Sequence, residues 1–165
     1  MADVYLGIGS NVQPTDNLRL AVRELARHVD IVALSGVYRN RAVGFDGDDF
    51  LNAVAWVRTD LSVDAMGQLL ESIHTLAGRR RGEDAFVARS LDIDLLMVDD
   101  IVDEAKSLPR ADVLEYGFVL GPLAEIAPDL RHPVTGRTTA DHWSTFDQAA
   151  HPLEPVPLIL SNQDD

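Results

Sequence analysis

Two carboxylates stand two residues apart in an otherwise apolar run, Leu91-Asp92-Ile93-Asp94-Leu95-Leu96. On a strand, that spacing puts both on one face. Two ionised carboxylates side by side repel and lose hydration, so the pattern favours a cation between them. Magnesium prefers such oxygen ligands and completes its shell with water and substrate phosphates. A solvated strand end is the competing reading of Asp-x-Asp on its own. Arginines stand close by: Arg79, Arg80, Arg81 and Arg89 place four of the chain's 14 cationic residues within eleven positions. Guanidinium groups grip phosphate oxygens bidentately, so carboxylates and arginines together describe a polyphosphate site. The alternative for Arg79 to Arg81 is a helix C-terminus decorated with cations that complement its dipole. A further constellation is Phe50-Leu51-Asn52, where strand alternation sets a ring and an amide on the same face. The amide offers a donor and an acceptor, and the ring a stacking surface, which suits a planar heterocycle with a lactam or amidine edge. A core phenylalanine with a turn-stabilising asparagine is the other reading.

The elements that must hold these residues follow from apolar periodicity. Val4 to Ile8 reads as a buried strand, ended by the turn residues Gly9, Ser10 and Asn11. Leu18, Ala21, Val22, Leu25 and Val29 recur at helical spacing, which predicts a helix from about 16 to 28. Ile31 to Arg39 reads as a second strand, Arg41 to Asp49 as a loop, and Phe50 to Arg58 as a third strand. Ser62 caps a second helix with the apolar face Met66, Leu69, Leu70, Ile73 and Ala77, and Gly78 is its expected stop. Leu91 to Val98 is the last strand of the series, and Tyr116 to Ile126 a short apolar helix broken by Pro122 or begun beside it. The order strand, helix, strand, strand, helix, strand is that of a ferredoxin-like α+β sandwich, an antiparallel sheet with helices packed on it. One domain over residues 1–146 is expected, followed by a Pro-rich acidic tail over 147–165 that is either an ordered wrap or a frayed end.

Composition bounds the partners. With 27 acidic against 14 basic residues and a net charge of −13, a nucleic acid backbone is repelled at long range. No run approaches the roughly 18 apolar residues of a membrane helix, and the N-terminus lacks a signal-peptide pattern. Zero cysteines exclude disulfides and thiolate metal sites. A cytoplasmic monomer acting on small molecules is the expectation.

In order and spacing, the motifs resemble the 6-hydroxymethyl-7,8-dihydropterin pyrophosphokinases of folate biosynthesis over roughly residues 3 to 135. The resemblance rests on Gly9-Ser10-Asn11, Val37-Tyr38-Arg39, Asp49-Phe50-Leu51-Asn52-Ala53, Gly78-Arg79-Arg80-Arg81, Arg89-Ser90-Leu91-Asp92-Ile93-Asp94 and Phe118-Val119-Leu120-Gly121-Pro122-Leu123. It implies that Phe50 and Phe118 sandwich the pterin, that Asn52 reads its edge, and that the backbone near Val43 and Gly44 touches it. It implies that Asp92 and Asp94 hold two magnesium ions, and that Arg79, Arg81 and Arg89 surround the phosphates of ATP, with Phe86 in a catalytic loop. Arg79, Arg89, Asp92 and Asp94 are thereby the catalytic set.

Four positions depart from the family pattern, among them Val87, which replaces the usual small residue ahead of the arginine-aspartate motif. His74 stands where a glutamate is common, with a surface helix histidine as the plainer account. After Leu108-Pro109, Arg110 and Tyr116 replace a histidine and a later arginine, and Arg110 is the residue expected to restore a phosphate contact. The implied reaction transfers pyrophosphate from ATP to the pterin hydroxymethyl group and expels AMP, with loops 40 to 49 and 79 to 88 closing over the substrates. Two alternatives remain at this stage: a paralogue that binds pterin or nucleotide without turnover, and a two-metal phosphohydrolase, which needs further ligands.

Overall fold

The structure, a computed structural model, describes residues 1–40, 49–80 and 91–161, with Arg79 and Arg80 described by their backbone alone. Along the chain run β1 (Ala2–Ser10), α1 (Pro14–Ala26), β2 (Asp30–Leu34), β3 (Val37–Asn40), β4 (Phe50–Thr59) and α2 (Val63–Arg80). They are followed by β5 (Asp92–Val98), α3 (Asp112–Glu115), α4 (Gly117–Ile126), α5 (Thr139–Thr145) and β6 (Glu154–Val156). All pairings are antiparallel in the order β5-β1-β4-β3-β6, with β2 beside the other half of β4. The topology is the expected ferredoxin-like one, extended at one edge by β6.

Strand alternation divides the chain between two cores. Val4, Leu6 and Ile8 of β1 and Leu51, Ala53, Ala55 and Val57 of β4 face one side, where α1 and α2 supply Leu18, Leu25, Met66, Leu70 and Ile73. Tyr5 and Val54 face the other side with Leu96 and Met97, and α3 and α4 cover them with Val113, Leu120 and Leu123. Helix α2 starts as its capping residue demands, with the Ser62 hydroxyl accepting from Ala65 N at 3.1 Å, a contact of the kind that stabilises a helix by about 1 kcal/mol.

Four elements differ from the periodicity reading. β1 continues through Gly9 and Ser10, which pair with Asn52 and Leu51 of β4. The second strand divides at Ser35-Gly36, because the Ser35 hydroxyl accepts from Val54 N at 2.8 Å and Glu125 accepts from Gly36 N at 2.9 Å. Tyr38 OH donates to the same Glu125 carboxylate at 2.6 Å, so a residue of α4 pins the break. Helix α2 runs past Gly78 to Arg80, since a helical glycine costs only about 1 kcal/mol relative to alanine. Helix α4 contains Pro122 rather than breaking there. The residue before a proline is driven from helical geometry by its own Cβ, and Gly121 has none. A Cβ at Gly121 would also stand 2.9 Å from Leu153 and 3.0 Å from Trp143 of α5. Beyond Asp147 the chain wraps in order as far as the description extends: β6 pairs with β3, and Leu158 and Leu160 are buried in the core beneath α1 and α2.

Candidate functional site

The second face of the sheet is only partly covered. Where α3 meets α4 a cavity of about 260 Å³ opens over β1, β4 and β5. Its floor is Gly7 and Gly9 of β1, flanked by Phe50 and Asn52 on one side and Asp92 and Asp94 on the other; Asp112, Tyr116 and Phe118 form the opposite wall. The registers explain the convergence: Gly9 pairs with both Asn52 and Asp92, and Gly7 pairs with Asp94, so the three strands present these side chains in adjacent rows. A Cβ at position 9 would stand 2.8 Å from Asn52 Oδ1 and displace that amide, so glycine here leaves Asn52 its place in the cavity.

Asn52 is buried, and its Nδ2 donates to Asn40 Oδ1 at the end of β3. That bond fixes which way the amide points into the cavity. Phe118 stands in the first turn of α4 with Tyr116 stacked beside it, centroids 5.1 Å apart and planes inclined by 26°. Phe50 and Phe118 thus approach one space from opposite walls, and Tyr116 widens the aromatic surface there.

The carboxylate side is electrostatically loaded. Burial pushes the Asp94 carboxyl above its ordinary range; Arg110 opposes the rise, while Asp92 and Asp112 add to it. Arg110 follows the turn at Leu108-Pro109 and is tied to β5 by its own N–H, which donates to Leu96 O at 2.8 Å. Its Nη2 lies 3.8 Å from Asp94 Oδ1 and its Nε 3.2 Å from Asp112 Oδ2. Nε is nonetheless a buried donor without an aligned hydrogen-bond acceptor, so the Asp112 contact is an ion pair lacking hydrogen-bond direction. A guanidinium whose Nε lacks an aligned acceptor, next to a carboxylate destabilised by burial, fits a site for phosphate and a divalent cation together. Among the described residues no group of three or more His, Cys, Asp or Glu side chains gathers as a metal cluster. Asp92 and Asp94 on one face of β5 are the oxygen ligands available here, a donor set of the kind magnesium takes with phosphates and water.

Of the residues expected from sequence, Phe50, Asn52, Asp92, Asp94 and Phe118 line this cavity, and Arg110 borders it through Asp94 and Asp112. Arg79 lies in the last turn of α2 by its backbone, and its side chain lies outside the description. Val43, Gly44, Arg81, Phe86 and Arg89 lie outside the described residues, as do the central parts of both loops expected to close. His74 is not the surface histidine of the plainer account: its side chain is 16% exposed and accepts a hydrogen bond from Ile93 N at 2.8 Å. Sequence reasoning missed Asn40, Asp112 and the stacking role of Tyr116. Asp112, two residues after Arg110, carried the only usable signal, an acid close to a cation of interest.

Comparison with known proteins converges on one group. A profile of the 7,8-dihydro-6-hydroxymethylpterin-pyrophosphokinase family matches residues 5–128. The chain is 40% identical over 153 residues to the 2-amino-4-hydroxy-6-hydroxymethyldihydropteridine pyrophosphokinase of Methylorubrum extorquens, covering 89% of this chain and 95% of that protein. Its identity to the protein of the same name from Synechocystis sp. is 37% over 156 residues, covering 91% of this chain and 80% of the other. Among solved structures, the Plasmodium falciparum HPPK-DHPS has the same fold with a TM-score of 0.72 at 12% identity. That match takes in 87% of this chain and 44% of the longer one.

Proposed function

The chain belongs to the 7,8-dihydro-6-hydroxymethylpterin-pyrophosphokinase family, and from that premise we propose how its cavity handles ATP, magnesium and the pterin. The activity is that of an ATP-dependent pyrophosphokinase of folate biosynthesis, carrying pyrophosphate from ATP to the pterin hydroxymethyl group. One observation carries the assignment of parts: the aromatic and amide side chains and the paired carboxylates line a single cavity from opposite sides.

In this reading the pterin ring lies between Phe50 and Phe118, with Asn52 and the backbone near Val43 and Gly44 at its polar edge. Stacking holds the ring's plane, and the Asn52 amide, steadied by Asn40, fixes its rotation within that plane. The hydroxymethyl group is thereby aimed at the carboxylates. Asp92 and Asp94 would hold two magnesium ions, which when bound supply charge neutralisation to the phosphates and acidity to the hydroxymethyl oxygen. Arg79, Arg81 and Arg89 hold the triphosphate, and Arg110 reaches it from the β5 side. The hydroxymethyl oxygen attacks the β-phosphorus in line, a bond from that oxygen to phosphorus forms, and the bond from the β-phosphorus to the oxygen bridging it to the α-phosphorus breaks. The hydroxyl proton leaves to solvent and AMP departs with the bridging oxygen. Such a displacement needs alignment and charge neutralisation more than covalent help, and arginines at the bridging and leaving oxygens supply both.

A crystal structure with magnesium, a non-hydrolysable ATP analogue and the pterin tests the arrangement. The pterin should lie between Phe50 and Phe118 and the triphosphate beside Asp92 and Asp94. A pterin bound outside this cavity overturns the assignment.

A further inference from the structure

Among the described residues β5 is the edge of the sheet on the side of β1, and it begins at Asp92. An edge strand leaves its outward N–H groups without a ladder partner. Ile93, between the two carboxylates, has such an amide, and it donates to His74 Nε2 at 2.8 Å. For Nε2 to accept, it must carry no proton, so the ring proton sits on Nδ1, which lies 3.3 Å from Glu71 Oε1 one turn back on α2. The Ile93 side chain is buried in the core on the opposite face from Asp92 and Asp94. The strand is therefore held at this one residue twice, by its side chain in the core and by its amide on α2.

The hold falls where it is needed. Asp92 is both the first residue of β5 and the last in its register with β1, and two like charges there work to fray the strand end. Magnesium tolerates little deviation from octahedral geometry, so a frayed carboxylate pair binds it poorly. The same helix ends in the arginines at 79 and 80, so the bond also sets the carboxylate strand relative to the start of the cationic segment. We propose that His74 is a positioning residue, which fixes Asp92 and Asp94 for the metal by tying the amide between them to α2. This rests on the metal role of those carboxylates stated above.

The test uses His74→Leu, which lacks an acceptor, and His74→Gln, whose side-chain carbonyl can take the same N–H. In the metal-free protein, exchange of the Ile93 amide should quicken by about tenfold in His74→Leu, the effect of losing one ordinary hydrogen bond. Calorimetric Mg²⁺ affinity in the presence of a non-hydrolysable ATP analogue should weaken by about the same factor. Turnover should show a lower kcat with the pterin KM unchanged, and His74→Gln should recover most of each loss. Wild-type exchange at Ile93 in His74→Leu overturns the proposal, as does a freed amide with undiminished Mg²⁺ affinity. Asp92→Asn separates the two levels. If it binds Mg²⁺ as tightly as the wild type, the metal role falls and the positioning role with it. If it binds weakly while His74→Leu binds normally, the positioning role alone falls.

Discussion

Removing the Arg110 guanidinium should weaken binding of ATP and leave the pterin untouched. In the structure the side chain is 37% exposed and set between Asp94 at 3.8 Å and Asp112 at 3.2 Å, with Nε lacking an aligned acceptor. A hydrogen bond to a charged phosphate is worth about 1.5–3 kcal/mol. Reaching one gives up two part-exposed ion pairs, each worth roughly 0.2–1 kcal/mol. From the middle of both ranges, the net loss in Arg110→Ala is about 1 kcal/mol, or about fivefold in the Kd of a non-hydrolysable ATP analogue with magnesium. Arg110→Lys should recover part of it, since a point charge replaces the attraction but not the two-pronged geometry. Without nucleotide the sign reverses: the guanidinium is a cation paired with Asp94, so its removal should strengthen binding of Mg²⁺ alone. Calorimetry on the two variants measures all of this. Unchanged affinity for the ATP analogue in Arg110→Ala would refute the reasoning and leave Arg110 as a structural partner of Asp94 and Asp112.

Asp92→Asn and Asp94→Asn should each lower kcat by about 10² or more, as expected for a charge-stabilising element, and turnover above a tenth of wild type would contradict the metal assignment. The raised folded pKa of Asp94 means that its contribution is present at acid pH and is lost as pH rises through that value. Asp94→Asn should therefore raise the melting temperature of the metal-free protein at neutral pH, by no more than about 1 kcal/mol in stability because the side chain, 42% exposed, is screened by solvent; a lowered melting temperature would contradict it. Phe50→Ala and Phe118→Ala should each cost about 1–3 kcal/mol in pterin binding while sparing ATP, and calorimetry with unchanged pterin affinity in both would move the pterin elsewhere. Buried His132 accepts from Val134 N and Thr135 N through Nδ1, and burial lowers its pKa, with His142 adding to the effect. Its contribution is present above the ordinary histidine value of 6.5 and lost as pH falls through the lower folded value. Melting curves from pH 7.5 to 5 should show an acid loss that shrinks in His132→Asn, whose amide oxygen can still accept; an identical profile would dismiss the role.

The sequence disclosed those parts of the site that depend on strand alternation. Asp92 with Asp94, and Phe50 with Asn52, each share a face because they are two apart, and their strands flank a glycine strand in the order that the topology demands. It disclosed less where a contact joins elements distant in the chain. Nothing in the local pattern of α2 announces that His74 faces the amide of Ile93, 19 residues later. Nor does the run Ile31 to Arg39 announce that Glu125, 89 residues beyond Gly36, holds its strand broken. Pro122 misled because its usual effect on a helix was read without the glycine before it and the Trp143 packed on that glycine. In the last segment, sparse periodicity hid a strand of three residues, whose order comes from the β3 edge and from Leu158 and Leu160 reaching the core.

The most direct measurement is product analysis of purified protein given ATP, magnesium and the reduced hydroxymethylpterin. AMP and pyrophosphorylated pterin should accumulate one for one, cease when magnesium is chelated, and fall together in Asp92→Asn and in Phe118→Ala. ADP as the main nucleotide product, or AMP released at the same rate without the pterin, would contradict a cavity that brings the two substrates together.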